Sequence, residues 1–557
     1  MAALAPAYRP RRPTETVLFG IVREHLETFL AYARESYDAP LPRYVEEELR
    51  GYLRCGVFAH GFVRAHCDAC GHDLLVAFSC KGRGVCPSCA GRRMANTAAH
   101  LVDRVLPAVP VRQWVLSLPF ELRALAAFRA DVLAALVRIF VEVVSGRYRT
   151  WARTQALDDA PTGAVTFVQR FGSSVNLNVH FHVVFLDGVF SRDEQGRAVF
   201  HPAPPPSREE LETVVRHVHR RVLAWLARKG RLDGTPDGNA SQERAAHSCL
   251  DACAALAMQR GAVRALRDDP DAGETDAPAP VDAPPKEQDA VDHAGFNLHA
   301  SVAIAADDHL GRERLCRYGA RPALSLDRLR RLPGGRIAYR IKKLRDGRVK
   351  HRIMTPLDFL ARLAAIVPPP RYPLVRYHGV LGPRSAWRRD VVPKPPTATP
   401  CPRRNAAAPS APQRDARPPL ERPLSPGVRS SCEQATRPSA AAQPRAPTRA
   451  TLPTKPRAAR AALLSPNVLS VQHWTRLLDG ALYAAAPRVD WASLLRRTFD
   501  VDVLRCASCG GRLRVLEEVS EPAAVRLVLD RLGLPADAPA AARARDPTEL
   551  LGDADVA

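Results

Sequence analysis

The sequence predicts an α+β protein built on an antiparallel sheet, and three observations carry that expectation. Two stretches rich in β-branched and aromatic residues read as strands, AVTFVQRF at 164–171 and LNVHFHVVFLDGVF at 177–190, separated by Gly172, Ser173 and Ser174. Segments with helical periodicity lie on either side of them. Paired cysteines mark a small metal-bound module near the amino terminus, and a Pro/Ala/Arg-rich tract separates a second small module near the carboxy terminus.

Residues 15 to 55 read as amphipathic helix, with Phe19, Val22, Phe29 and Tyr32 at helical spacing. The cysteine cluster runs from Cys67 to Cys89. Helical periodicity returns over 94–155, interrupted by Val111 to Leu118, an apolar strand before Pro119. Ser207-Arg-Glu-Glu210 is a capping box that opens a helix running to about Lys229. Asp268 to Asp292 is acidic, Pro-rich and short of large apolar residues, the composition of a disordered insertion. GFNLHASVAIA then reads as a strand, Arg312 to Tyr318 as a helix, Arg336 to Met354 as a hairpin and Pro356 to Val367 as a helix. The expected domains are therefore a helical and zinc-binding segment at 15–95 and a main α+β domain at 96–385 interrupted by 268–292. A flexible basic linker follows at 386–465, then a carboxy-terminal module at 466–540 with one cysteine knuckle.

The 557 residues carry 81 Lys+Arg against 58 Asp+Glu, a formal net charge of +23, which points to a polyanionic partner and above all to nucleic acid. The start, MAALAPAYRPRRPT, has no apolar run after its basic residues, and the most apolar stretch, Ala130 to Val144, contains Arg138 and Glu142. The expectation is a cytoplasmic protein that makes no use of a membrane. Thirteen cysteines, six of them in three C-x-x-C pairs, point in a reducing compartment to metal rather than disulfides.

Cys67-Asp-Ala-Cys70 and Cys86-Pro-Ser-Cys89 are separated by fifteen residues. Two such turns can present four thiolates to one structural zinc, with no position left for water. Cys55 and Cys80 are surplus to that quartet, and His72 lies near enough to replace one ligand. Lys81, Arg83, Arg92 and Arg93 flank the knuckles and suit a ribbon that grips DNA phosphates. Cys506-Ala-Ser-Cys509 is a further knuckle with no second half downstream, while Cys249 and Cys253, four apart in a helix, read as core.

Along the strand that contains His180-Phe181-His182, side chains alternate, so both imidazoles leave one face while Val179, Phe181 and Val183 enter the core on the other. Two histidines so placed can hold one divalent ion. His217-Val-His219 has the same pattern within a helix, where i and i+2 point apart, and serves as an internal control.

His180-Phe-His182 with its tail VVFLDG, and Leu315-Cys-Arg-Tyr318-Gly-Ala-Arg-Pro322 further on, resemble the HUH endonucleases. The blocks AFSCKGRGVCPSCAGRRM, QWVLSLP, VTFVQRFGSSVNLNVHFHVVFLDGVF, LCRYGARP and YHGVLGP are similar to those of the rolling-circle insertion-sequence transposases, the ninety-one family. The resemblance covers about residues 15–385 and 466–535. It implies an HUH endonuclease core with an amino-terminal zinc ribbon in a bacterial, nucleoid-associated enzyme. The implied activity is DNA transposition and recombination: nicking and rejoining of single-stranded ends of the element and its target through a 5′-phosphotyrosine. Tyr318 is the expected nucleophile, with Tyr372 and Tyr377 as rivals, and magnesium or manganese the expected catalytic ion. His180 and His182 would bind that ion, with a third ligand from Gln169 or His299 and Asn178 ranking after them. Relatives often carry a tyrosine four residues before the first, but here that position is Arg314, which implies a single-tyrosine enzyme. Two other readings are a replication initiator or relaxase with the same chemistry, and an inactive zinc-containing DNA-binding protein.

Overall fold

A computed structural model describes residues 8, 10–231, 248–259, 263–267, 290–343, 348–393, 491–499 and 501–547. Most of the acidic insertion, at 268–289, most of the basic linker, at 394–465, and the first part of the expected carboxy-terminal module, at 466–490, lie outside the described residues.

The chain begins with helices α1 (Val17–Ser36) and α2 (Arg43–Arg54), so the expected helical segment is broken where Pro40 and Pro42 forbid its continuation. Thr16 caps α1 by accepting from the Phe19 amide at 3.2 Å. Strands β1 (Phe62–Cys67) and β2 (Asp73–Ala77) follow, then α3 (Pro87–Arg104), which Cys86 opens. Next come β3 (Val111–Ser117), α4 (Phe120–Phe128), α5 (Ala130–Thr154), β4 (Gly163–Phe171) and β5 (Leu177–Leu186). The capping box at Ser207 and Glu210 forms in full and starts α6 (Arg208–Arg228), and α7 (Cys249–Met258) buries both of its cysteines. Beyond it stand β6 (Val291–His293), β7 (Phe296–His299), α8 (His309–Gly319), α9 (Pro356–Ile366) and β8 (Val375–Gly379). The hairpin expected over 336–354 is present as Ile337–Lys343 and Arg348–Met354. The carboxy-terminal part contributes α10 (Trp491–Phe499), β9 (Leu513–Val519) and α11 (Pro522–Arg531).

The main sheet runs β8-β4-β5-β3-β7-β6, with the short segment Ala303–Ile304 also pairing with β3. Each of these pairings is antiparallel. The sequence leads one to expect helices only on the face away from the histidines, but both faces are covered. On one, Val179, Phe181, Val183 and Phe185 pack with Leu136, Phe140 and Val144 of α5. On the other, Val165, Phe167, Val184 and Leu186 pack with Leu101 and Val102 of α3 and Leu315 and Cys316 of α8. That second layer puts α8 directly over the histidine face of β5.

A buried polar cluster fixes the far end of β5. Arg112 of β3 donates to both oxygens of Asp187 at 2.8–3.0 Å and to the Ala300 carbonyl at 3.0 Å. The Tyr148 hydroxyl of α5 donates to Asp187 at 2.9 Å. One carboxylate therefore ties two strands to a helix in a site where both charged side chains are 7% exposed. Asp187→Ala would leave a guanidinium buried without its counter-charge, which costs about 3–5 kcal/mol. Denaturant unfolding should show a loss of that size, and a loss below about 1 kcal/mol would mean that water already screens the cluster.

Candidate active site and metal centres

The pleat places His180 and His182 on one face of β5, as expected, but beneath α8 and not in solvent: they are 8% and 4% exposed. Their rings lie 5.0 Å apart. Burial lowers both basicities, that of His180 to about 4 and that of His182 well below its usual value, with the positive charge of Arg321 acting in the same direction. Both imidazoles are thus neutral at pH 7 and able to donate a lone pair.

Each histidine is oriented by a partner on one ring nitrogen. His180 Nδ1 donates to the Asn178 carbonyl at 2.9 Å, which leaves Nε2 as the lone-pair nitrogen. His182 Nδ1 lies 3.1 Å from the side-chain amide of Gln113 on β3. A half-turn of that amide presents its oxygen to Nδ1–H and likewise frees Nε2 for a ligand. His182 Nε2 is buried and has no hydrogen-bond partner among the described residues. Gln113 lies inside the QWVLSLP block, yet nothing in its sequence neighbourhood singles it out. Its one signal is an uncharged polar residue next to Arg112 at the start of a mainly apolar strand.

The third-ligand candidates are separated by the structure. His299 on β7 pairs with Val115, which pairs in turn with His182, so all three share a face of the sheet. Gln169 is engaged elsewhere, since its Nε2 donates to the carbonyls of Tyr318 and Gly319 at 2.9 and 3.0 Å and its Oε1 accepts from Arg321 at 3.3 Å. It therefore braces the end of α8. Gly319 allows this close approach, since a Cβ there would lie 2.6 Å from the Phe167 ring. Asn178 offers its backbone carbonyl to His180, while its side-chain Oδ1 is buried with no hydrogen-bond partner among the described residues.

The Tyr318 ring meets His182 edge-on, with centroids 5.3 Å apart and planes at 86°, and remains 41% exposed. Arg321 lies over the same ring at 4.9 Å. Tyr372 is buried and hydrogen-bonded to the Ala126 carbonyl, and Tyr377 is half-buried in the core beside Arg388. Neither rival presents an open hydroxyl next to the histidines. In the control pair on α6, His217 is exposed while His219 turns toward His293 at 3.1 Å.

The expected zinc quartet of Cys67, Cys70, Cys86 and Cys89 does not form. Cys86 and Cys89, at the start of α3, converge instead with Cys55 after α2 and Cys80 after β2. Neighbouring sulfurs in this group are 3.5–3.6 Å apart. A tetrahedron with Zn–S bonds of about 2.3 Å has edges of about 3.8 Å, whereas a disulfide would need about 2.05 Å, so the spacing fits a metal. Cys67 and Cys70 sit on the β1–β2 turn and face Cys506 and Cys509. Spacing along the chain could not separate these groups, because one knuckle closes a hairpin and the other opens a helix packed on a different core.

Residues 163–388 match the family model described as "Putative transposase", and residues 21–118 match the transposase zinc-binding domain of the IS91 type. The chain belongs to the IS91-type transposases. No curated protein and no solved structure gives a significant match. The zinc-binding match contains Cys55, Cys80, Cys86 and Cys89 entirely, and the transposase match contains both histidines and Tyr318. Membership makes DNA the partner of this transposase. No helix among the described residues is long and apolar enough to cross a membrane.

A cleft between the zinc-binding segment and the sheet is lined by Arg83, Arg93, Phe167, Gln169, Gly319 and Arg321, and so ends at the helix terminus that carries Tyr318. Of the four basic residues expected to meet phosphate, Lys81 and Arg92 are exposed and Arg93 lines this cleft. Arg83 is bound to the backbone carbonyls of Pro369 and Tyr372, so it joins the ribbon to the sheet domain.

The observed quartet separates two outcomes. Cys55→Ser should lower zinc content by one equivalent per chain and reduce thermal stability, because structural zinc contributes folding free energy directly. Elemental analysis of the purified variant checks this, and unchanged zinc would restore Cys55 to the role of a surplus core residue.

Proposed function

We propose that this transposase nicks and rejoins single-stranded DNA by the HUH chemistry of rolling-circle elements, with Tyr318 as nucleophile. The observation that carries the reading is the convergence of Tyr318 from α8 with His182 from β5, next to a buried nitrogen that lacks any partner among the described residues. In this reading His180 and His182 would hold a divalent cation such as magnesium or manganese, with His299 on the same face of the sheet moving in as third ligand, and the ion would neutralise charge on the scissile phosphate.

The Tyr318 oxygen attacks phosphorus and gives up its proton, the bond to the 3′ oxygen breaks, and that oxygen takes up a proton to become a free 3′ hydroxyl. The 5′ phosphate remains on tyrosine as a diester. Because the number of phosphodiester bonds is unchanged, attack by a 3′ hydroxyl reverses the step without ATP. Arg321, beside the ring, supplies positive charge where the phosphate must approach, and Gln169 holds the helix end so that the ring cannot drift from the histidines. Single strands of the element's own ends and its target would approach Tyr318 along the side that carries Arg93 and Arg321. Replication initiators and relaxases share this chemistry, and the zinc-binding match favours transposition.

Tyr318→Phe should abolish covalent adduct formation with labelled single-stranded DNA from the element's end while changing stability by only about 1 kcal/mol. Arg314, one helical turn before it, offers no substitute oxygen. Peptide mapping of the wild-type adduct should place the DNA on Tyr318; DNA on Tyr372 or Tyr377 would move the nucleophile, and no adduct with manganese present would favour a DNA-binding role alone.

His180→Ala and His182→Ala should each slow cleavage on the order of 10³-fold or more while DNA binding persists, since phosphate contacts supply most affinity. His217→Ala should cleave normally in the same assay. A dead His217→Ala variant would defeat the strand-face argument.

A further inference from the structure

We propose that Cys67, Cys70, Cys506 and Cys509 hold a second structural zinc that joins two segments far apart in the chain. Half of its ligands lie outside both matched regions, and the site stands apart from the proposed active site. The four sulfurs lie within 4.8 Å of one another, with Cys67 to Cys509 at 3.5 Å and Cys70 to Cys506 at 3.6 Å. These are the edges of a tetrahedral thiolate site, far longer than a disulfide bond.

The two knuckles are built alike, although their sequences lie far from each other. In the first, Cys67 N donates to His72 O at 2.9 Å, Gly71 N donates to Cys67 O at 2.9 Å, and Gly71 has a φ of +76°. In the second, Cys506 N donates to Gly511 O at 2.7 Å, Gly510 N donates to Cys506 O at 2.9 Å, and Gly510 has a φ of +74°. Each turn thus needs a glycine in the left-handed region directly after its second cysteine. The Gly511 amide also points at Cys509 Sγ at 3.4 Å, the contact that favours a thiolate. A knuckle with no mate nearby in sequence finds an equivalent one across the fold.

The surrounding structure delivers the knuckles to each other. Strand β9 pairs antiparallel with β1 from Phe62 opposite Val519 to Cys67 opposite Leu513, and so completes a three-stranded sheet with β2. Half-buried Arg64 pairs with exposed Glu517 at 3.3 Å and exposed Arg514 with Asp68 at 3.2 Å, and ion pairs this open to solvent contribute little. The apolar cores beneath are small: Ala65, Cys67, Cys506 and Leu513 in one, and Phe62, Leu75, Val519, Val525 and Leu529 in the other. Cores of that size do not hold a module by themselves, and a metal supplies what they lack.

The full-length chain, purified with zinc under a phosphine reductant, decides the matter without DNA, so its outcome is independent of the nicking reading. Cys70 and Cys509 are both exposed. As free thiols they would react with a maleimide at once; as ligands they should resist until a chelator is added. The expected result is two zinc ions per chain, one for each cluster, with Cys70 and Cys509 protected. In the double variant Cys506→Ser/Cys509→Ser one zinc should be lost and Cys67 and Cys70 should become reactive, while Cys86 and Cys89 stay protected. If that variant fails to fold, the wild-type labelling still decides. Cys70 and Cys509 labelling equally fast with and without chelator, or a single zinc per wild-type chain, would overturn the proposal.

Discussion

A strand buried on both faces must find a partner for every polar atom it carries, and β5 carries two imidazoles into that environment. Leaving such atoms unsatisfied costs on the order of 1–3 kcal/mol each. The fold meets the demand for three of the relevant features: the Asn178 carbonyl takes His180 Nδ1, Gln113 takes His182 Nδ1, and burial keeps both rings neutral. It leaves His182 Nε2 without a partner among the described residues. That remaining atom gives the neighbouring elements their meaning, since β7 brings His299 to the same face and α8 brings Tyr318 to its edge.

The strands, the α6 capping box and the helix that carries Tyr318 were legible in the sequence because each rests on local periodicity or local hydrogen bonding. The alternation around Phe181 needs no knowledge of the partner strand to place both histidines on one face. What could not be read was whatever depends on the neighbours in space. Gln169 and His299 both lie in rows with the histidines, Gln169 opposite His180 and His299 across Val115 from His182, and look equivalent as ligand candidates until the hydrogen bonds of Gln169 to the end of α8 show that it supports that helix. Gln113 was invisible for the same reason, because its role comes entirely from facing His182 across a strand boundary. Covering helices were expected on one face only because an isolated H-x-H strand resembles a half-exposed one, and nothing within β5 reports that α3 and α8 close the second face.

The cysteines show the same limit more sharply. The C-x2-C-x15-C-x2-C spacing is the form of a single ribbon site, and it counts the right number of sulfurs while assigning half of them to the wrong neighbours. The geometry of each turn decides the outcome. A knuckle on a hairpin points along its sheet, and a knuckle that opens a helix points into the layer that helix packs against. Cys55 and Cys80, surplus by spacing, are the residues that face Cys86 and Cys89.

The pairing of β9 with β1 also sets an order of events during synthesis. The two strands are separated by well over 400 residues of chain, from Cys67 to Leu513. At about 5–20 residues per second, a ribosome needs roughly half a minute or more to make the interval. Until then β1 presents an unpaired edge, the kind of surface on which nascent chains cross-pair. Only a chain translated past β9 can close that edge, so the fold itself distinguishes such a polypeptide from one cut short by a frameshift or a stalled ribosome. A product cut short before β9 would be left with that edge of the ribbon open to chaperones and proteases.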